Sequence, residues 1–166
     1  MIRGALAILL LAGLSPIGRS ATIILVRHAE RNPGMAPDVL LTAQGEARAK
    51  QLANVLKDAN IKAIFTTEVR RTQQTAEPTA QQFHLQPAVI PAKDFDVLIS
   101  RLQSLPDDQT VLVVGHANTI PTVVERLGGG VVPALGDAEY DRLVVVVTKG
   151  KSKPTVLTLR YGEAAH

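Results

Sequence analysis

Thr22-Ile23-Ile24-Leu25-Val26-Arg27-His28-Ala29-Glu30-Arg31 decides how this chain is read. Its first five residues are an almost unbroken apolar run rich in β-branched side chains, the pattern of a strand buried on both faces and hence of a sheet covered by helices. Where that run ends, a histidine stands between two arginines. An imidazole can attack phosphorus, and planar guanidiniums match the oxygens of a phosphoryl group bidentately. By itself the segment from Arg27 to Arg31 is equally readable as a charged strand end, so the rest of the chain must decide.

Working outward, strands alternate with helical patterns. Residues 61–65, 88–90 and 110–114 read as further strands. Thr42 is placed as the N-cap of a helix to about residue 57, with Ala49, Leu52, Ala53 and Leu56 on one face. Residues 69–83 have helical spacing through Val69, Thr72, Ala76 and Ala80, and Pro78 is expected to disturb that helix or mark its real start. Asp94 is expected to cap a helix bearing Leu98, Leu102 and Leu105. Asn118, Thr119 and Pro121 open another, running to residue 127, which Gly128-Gly129-Gly130 stops. Residues 143–148 and 155–161 flank a turn over 149–154 and read as a terminal hairpin. The order predicts one α/β domain over residues 21–166. It is a three-layer α/β/α sandwich whose mostly parallel sheet has helices on both faces and an antiparallel strand near the C-terminus.

Composition bounds the setting. A chain of 166 residues, 46% hydrophobic, suffices for one core, and with 3% aromatics that core must come from Val, Leu, Ile and Ala. The absence of cysteine excludes disulfide frameworks, thiolate nucleophiles and cysteine zinc sites. Residues 1–20 read as a secretory signal peptide: a basic start at Arg3, an apolar stretch over 5–14, a break at Pro16, and Gly18-Arg19-Ser20 before Ala21. The apolar stretch is about half of the roughly 20 residues that a membrane-spanning helix needs. A periplasmic or secreted location without stable membrane insertion after cleavage is therefore expected, an uncleaved anchor being the alternative. Losing Arg3 and Arg19 would remove two of the three net positive charges, and no basic tract interleaved with aromatics suggests a nucleic-acid partner.

In open α/β sheets, ligands bind beyond the carboxyl ends of the strands. Here one strand ends in Arg27-His28, another in Gly115-His116, and a third runs into Thr66-Thr67-Glu68-Val69-Arg70-Arg71. Three strand ends thus bring two histidines and at least one arginine to the same sheet edge. Nearby arginines disfavour a protonated imidazole and attract an anion. At about 4 Å and an effective dielectric near 20, each charge pair is worth on the order of 4 kcal/mol before desolvation.

These segments resemble the histidine phosphatase superfamily, of phosphoglycerate mutase-like fold. Arg27-His28-Ala29 stands where the family has Arg-His-Gly. Leu41-Thr42-Ala43-Gln44-Gly45 is similar to its Leu-Thr-x-x-Gly segment, and Thr66 to Ala76 to its Ser-Ser-x-x-x-Arg-Ala-x-x-Thr-Ala segment. Gly115-His116-Ala117 replaces Gly-His-Gly or Gly-His-Ser. The resemblance implies that His28 is a nucleophile forming a phosphohistidine that water hydrolyses. It also implies that Arg27, Arg71 and His116 surround the phosphate. Arg31 fits the Arg-His-Gly-x-Arg-x-Pro variant of the acid phosphatase branch and is assigned as a fourth phosphate ligand. Arg71 is preferred to Arg70 because it falls at the family's arginine position.

The proton donor is less marked. Ala117 occupies the position where the acid phosphatase branch has an aspartate. Asp94 and Asp96 lie in the segment where the mutase-like branch has its glutamate, and Glu139 precedes the fifth strand; Asp94 is favoured, with Glu139 next. His84 and His166 are expected at the surface. No cofactor or metal is implied, since Glu30 should point away from His28 and arginines repel a cation. The expected activity is that of an exported phosphomonoesterase on small phosphate esters or a phosphorylated envelope sugar. A protein-phosphohistidine phosphatase and a non-catalytic phosphate-binding module are the alternatives.

Overall fold

The computed structural model describes residues 20–34, 36, 39–150 and 152–164. The signal-peptide reading of the first segment and the surface placement of His166 lie outside these residues. In chain order the elements are β1 (Thr22–Arg27), α1 (Ala43–Val55), β2 (Ile61–Thr66), α2 (Arg70–Phe83), β3 (Ala88–Val89), α3 (Phe95–Gln103), β4 (Thr110–Gly115), α4 (Thr119–Arg126), β5 (Arg142–Lys149) and β6 (Ser152–Arg160). They build one mixed sheet in the order β3-β2-β4-β1-β5-β6. The strands from β3 to β1 are parallel, and β5 runs antiparallel between β1 and β6.

Alternation along β1 explains the three layers. Ile23 and Leu25 face one side, where Val111, Val113, Val144 and Val146 meet α3 and α4 through Leu98, Ile99, Leu102, Ile120, Val123 and Val124. Ile24 and Val26 face the other, where Leu112, Val114 and Leu143 meet α1 and α2 through Leu52, Ala76 and Ala80. A register shift between Ile61 and Ala63 in β2 puts Ile61 on the same face as Ile64, so both join the second cluster. Burying one such aliphatic side chain stabilises by about 1.5–3 kcal/mol, and β1 supplies four.

The sequence expectations need correction at several ends. Pro78 neither starts nor visibly breaks α2, which begins at Arg70 and contains the proline. The missing N–H costs roughly 3 kcal/mol in an isolated helix, but here Thr72, Thr75, Ala76, Thr79 and Ala80 bury one face of α2 against the sheet and hold it. Thr42 caps α1 as expected, its hydroxyl accepting from Gly45 N–H at 3.1 Å. Asp94 and Asn118 occupy N-cap positions but make no side-chain capping bond. The hairpin turn is shorter than the six residues expected, because Lys149 already pairs with Ser152 and Gly150 takes a φ of 55°.

Candidate active site

The parallel register brings the two histidines together. Arg27 is opposite Gly115, and the His28 N–H continues the ladder by donating to Gly115 O at 2.9 Å, which sets His28 beside His116. Their ring centroids are 5.5 Å apart, edge to face at 67°. His28 is buried, and its Nδ1 lies 2.8 Å from the Ala29 carbonyl. A carbonyl only accepts, so Nδ1 carries the proton and Nε2 keeps its lone pair. Burial pushes the His28 pKa down to about 3; the Ala29 carbonyl opposes that shift, and the charges of Arg27, Arg71 and His116 add to it.

The end of β1 also buries Arg27. Its Nη1 donates to Gly136 O at 2.9 Å and Asp137 O at 2.8 Å, and its guanidinium lies 4.3 Å from the centroid of the Tyr140 ring. Arg71 enters from the first turn of α2, and burial followed by the charges of Arg31 and Arg27 lowers its pKa. The Nε atoms of Arg27 and Arg71 are buried without a hydrogen-bond partner among the described residues. His116 follows β4, its Nε2 3.2 Å from Thr67 Oγ1, which in turn lies 3.0 Å from Thr72 Oγ1. Its pKa is lowered to about 4, by burial first and then by Arg71 against the opposing charge of Glu68.

Arg27, His28, Arg71 and His116 are thus brought into one cluster. Arg31 is near enough to lower the Arg71 pKa, but its Nη1 turns back onto the carbonyls of Asn32 and Gly34. Arg70 is exposed and lines a groove of about 760 Å³ with Gln73, Gln74, Glu77, His84 and Val89, beside the histidines instead of over them. His84 is exposed at the left-handed C-cap of α2.

The carboxylates are arranged differently from expectation. Glu139 is not poised to give up a proton: its oxygens lie 2.7 Å from Arg142 and 2.8 Å from Arg160, and one accepts from Gly136 N–H at 3.1 Å. Burial opposes the effect, but the Gly136 N–H and the two guanidiniums hold its pKa below the usual carboxylate range. Asp94 begins α3 with no side-chain capping bond, and Asp96 pairs with Arg126 at 2.8 Å on the surface. Glu30 points away from the cluster onto Arg48, with Nε donating to both carboxylate oxygens at 2.8 and 3.0 Å. Among the described residues, no group of three or more His, Asp or Glu side chains is placed to hold a metal ion. The described residues also include no helix long and apolar enough to cross a membrane.

Three residues of the cluster escaped sequence reasoning. Thr67 and Glu68 sit inside a recognised segment that assigns them no role, yet Thr67 contacts His116, and Glu68 accepts from Ala92 N–H at 2.8 Å with its charge felt at His116. Tyr140, beneath Arg27 and with its ring 6.1 Å from that of His28, carries no pattern signal. Chemically, the cluster offers a neutral, oriented imidazole nitrogen among guanidinium donors, the equipment for receiving a phosphoryl group.

Known proteins support that reading. The family model of the histidine phosphatase superfamily (branch 1) matches residues 23–94, a span containing Arg27, His28 and Arg71. A PE-PGRS family protein of Mycobacterium tuberculosis is 31% identical over 133 residues, which are 75% of this chain but only 22% of that protein. The uncharacterised phosphatase PhoE of Bacillus subtilis is 25% identical over 152 residues, covering 82% of this chain and 75% of its own. Among solved structures, the protein histidine phosphatase SixA complexed with tungstate superimposes with a TM-score of 0.68 at 19% identity, over 84% of this chain and 96% of that one. A mycobacterial glucosyl-3-phosphoglycerate phosphatase does so with a TM-score of 0.66 at 14% identity, over 86% and 99%. The two structures show a shared fold. Its strand ends, its ordered segments and these matches agree in supporting the histidine phosphatase superfamily.

Proposed function

We propose that this chain is a phosphomonoesterase that works through a phosphohistidine on His28 and, after export, acts on small phosphate esters or a phosphorylated envelope sugar. The observation that carries this is the state of His28. Its Nδ1 proton is committed to the Ala29 carbonyl, which leaves Nε2 as an uncharged nucleophile between Arg27 and Arg71. Attack of Nε2 forms the N–P bond as the ester P–O bond breaks, and water then attacks phosphorus and releases the imidazole. Arg27, Arg71 and His116 hold the non-bridging oxygens, with Arg31 joining from the loop after β1. The unpartnered Nε donors of Arg27 and Arg71 suit them to this role.

A protein-phosphohistidine phosphatase is the second reading. It is favoured by the fold shared with SixA and by the engagement of Glu139 in ion pairs, since a phosphoramidate needs less help in leaving than an alkoxide. The activity test is turnover of aryl, alkyl and histidine phosphates by the wild type and His28→Ala. Label trapped on His28 with activity lost in His28→Ala is the expected result. Activity surviving in that variant rejects the mechanism, and phosphate binding without turnover of any ester rejects catalysis. Export is tested separately, by N-terminal sequencing of protein recovered outside the cytoplasm, where a start at Ala21 is expected.

A further inference from the structure

We infer that Tyr140 is the proton donor to the leaving group, an inference that rests on the phosphatase reading above. Expelling an alkoxide requires an acid beside the scissile oxygen. Glu139 is held by Arg142 and Arg160, and Asp94 sits at the start of α3. The loop that cradles Arg27 instead delivers a phenol to the cluster. The Tyr140 ring lies 4.3 Å beneath the Arg27 guanidinium, and its centroid is 6.1 Å from that of His28, tilted by 51°. Its phenolic oxygen is within electrostatic range of Arg71. The side chain is half-buried, and its hydroxyl makes no hydrogen bond with the described residues.

Placed there, the phenol shares the cluster with His28 and the two arginines, and the inference assigns its hydroxyl to the leaving-group side of the phosphoryl position. As His28 Nε2 bonds to phosphorus and the ester P–O bond breaks, the phenolic O–H bond breaks and its proton passes to the departing alkoxide. The phenolate left behind is stabilised by Arg27 and Arg71. It recovers a proton from the water that attacks the phosphohistidine, whose oxygen becomes the fourth phosphate oxygen. The ring has a second job, supporting Arg27 from below, and a decisive test must separate ring from hydroxyl.

Tyr140→Phe does so, because it keeps the ring and removes only the oxygen. Wild type, Tyr140→Phe, Asp94→Asn and Glu68→Gln are compared in single-turnover phosphorylation of His28 by 4-nitrophenyl phosphate, whose leaving group needs little protonation, and by glycerol phosphate, whose leaving group needs it. Vanadate affinity reports the integrity of the pocket. Tyr140→Phe is expected to keep vanadate affinity and nitrophenyl phosphate reactivity within about threefold while losing about 100-fold or more on glycerol phosphate, the range of a general acid. Equal losses on both substrates, weakened vanadate binding, or no loss at all would overturn the inference. So would the selective loss appearing in Asp94→Asn or Glu68→Gln instead. Nitrophenyl phosphate turnover surviving in His28→Ala would reject the underlying mechanism, whatever Tyr140→Phe shows.

Discussion

Replacing Arg48 with methionine tests how the loop that follows His28, the proposed nucleophile, is held. Arg48 has only 2% of its side chain exposed and Glu30 12%, with Arg48 Nη2 2.7 Å from Oε1 in addition to the two Nε bonds. Its Nη1 also donates to the Tyr161 carbonyl at 3.1 Å. Methionine fills much of the same volume, so the change chiefly strands the Glu30 carboxylate and the Tyr161 carbonyl. Removing one partner of a buried pair costs about 3–5 kcal/mol, and the lost carbonyl bond adds about 1 kcal/mol. At roughly 2–4 °C per kcal/mol for a domain near this size, Tm should fall by about 8–24 °C. Replacing Glu30 by leucine as well should restore much of that loss, because no buried charge is then left alone. Urea unfolding of wild type, both single variants and the double variant gives the coupling energy directly. A loss below about 1 kcal/mol in Arg48→Met would show that the pair behaves as a surface ion pair and would refute the reasoning.

Three further outcomes follow from the same geometry. A Cβ at Gly45 would lie 2.1 Å from the Glu30 carbonyl oxygen, backbone that cannot yield as a side chain can. Gly45→Ala should therefore lose about 1–3 kcal/mol or more, and the shift of Ala29 and Glu30 should lower kcat, both measurable on one purified sample. Because the folded His28 pKa is about 3 against 6.5 unfolded, the unfolded chain takes up a proton that the buried ring refuses. Stability is then lost as pH falls from 6.5 toward 3, about 2 kcal/mol between pH 7 and 5, and His28→Ala should lose less Tm over that interval than the wild type; equal losses would contradict the burial argument. Glu139→Gln should loosen the 136–139 carbonyls that hold Arg27, raising KM for every ester severalfold without a leaving-group preference. A preference for aryl over alkyl esters in that variant would instead restore Glu139 as the acid.

What was legible in the sequence was what depends on short-range pattern. The apolar run of β1, the alternation of strands with helical stripes, and the arrival of Arg27, His28 and His116 at strand ends follow from periodicity and one rule of α/β sheets. Arg71 became legible only through the family's motif, because Arg70 beside it carries the same charge. Pro78 was misread because the helix around it is held by threonines and alanines packed on the sheet, a tertiary effect that propensity does not contain. Glu139 stands second to Asp94 as a donor candidate because its loop approaches the strand-end edge, but its partner Arg160 arrives from the facing strand, and the β5–β6 register that aligns Arg142 with Arg160 is not written in either segment. Tyr140 was silent for a similar reason: a lone aromatic before a strand acquires meaning only when β1 places Arg27 above it.

The same long-range contacts explain how a cluster of positive charge is tolerated at the end of a buried strand. Arg27 is met by the carbonyls of Gly136 and Asp137 and by the face of the Tyr140 ring, neither of which would neutralise its charge and repel an arriving anion as a carboxylate would. The carboxylates stand one step back. Glu139 fixes the carbonyl loop through Gly136 N–H while its charge is spent on Arg142 and Arg160, and Arg160 also holds Asp141. The Asp141 carbonyl accepts from Tyr161 N–H, the Tyr161 carbonyl from Arg48, and Arg48 binds Glu30, two residues beyond His28. The polar chain therefore starts at Arg27 and returns to the loop of the nucleophile through the last strand of the sheet. It orients both ends of the Arg27-His28 pair without placing a negative charge against the proposed phosphate position, and this division explains why β6 is tied to a site to which it contributes none of the proposed phosphate ligands.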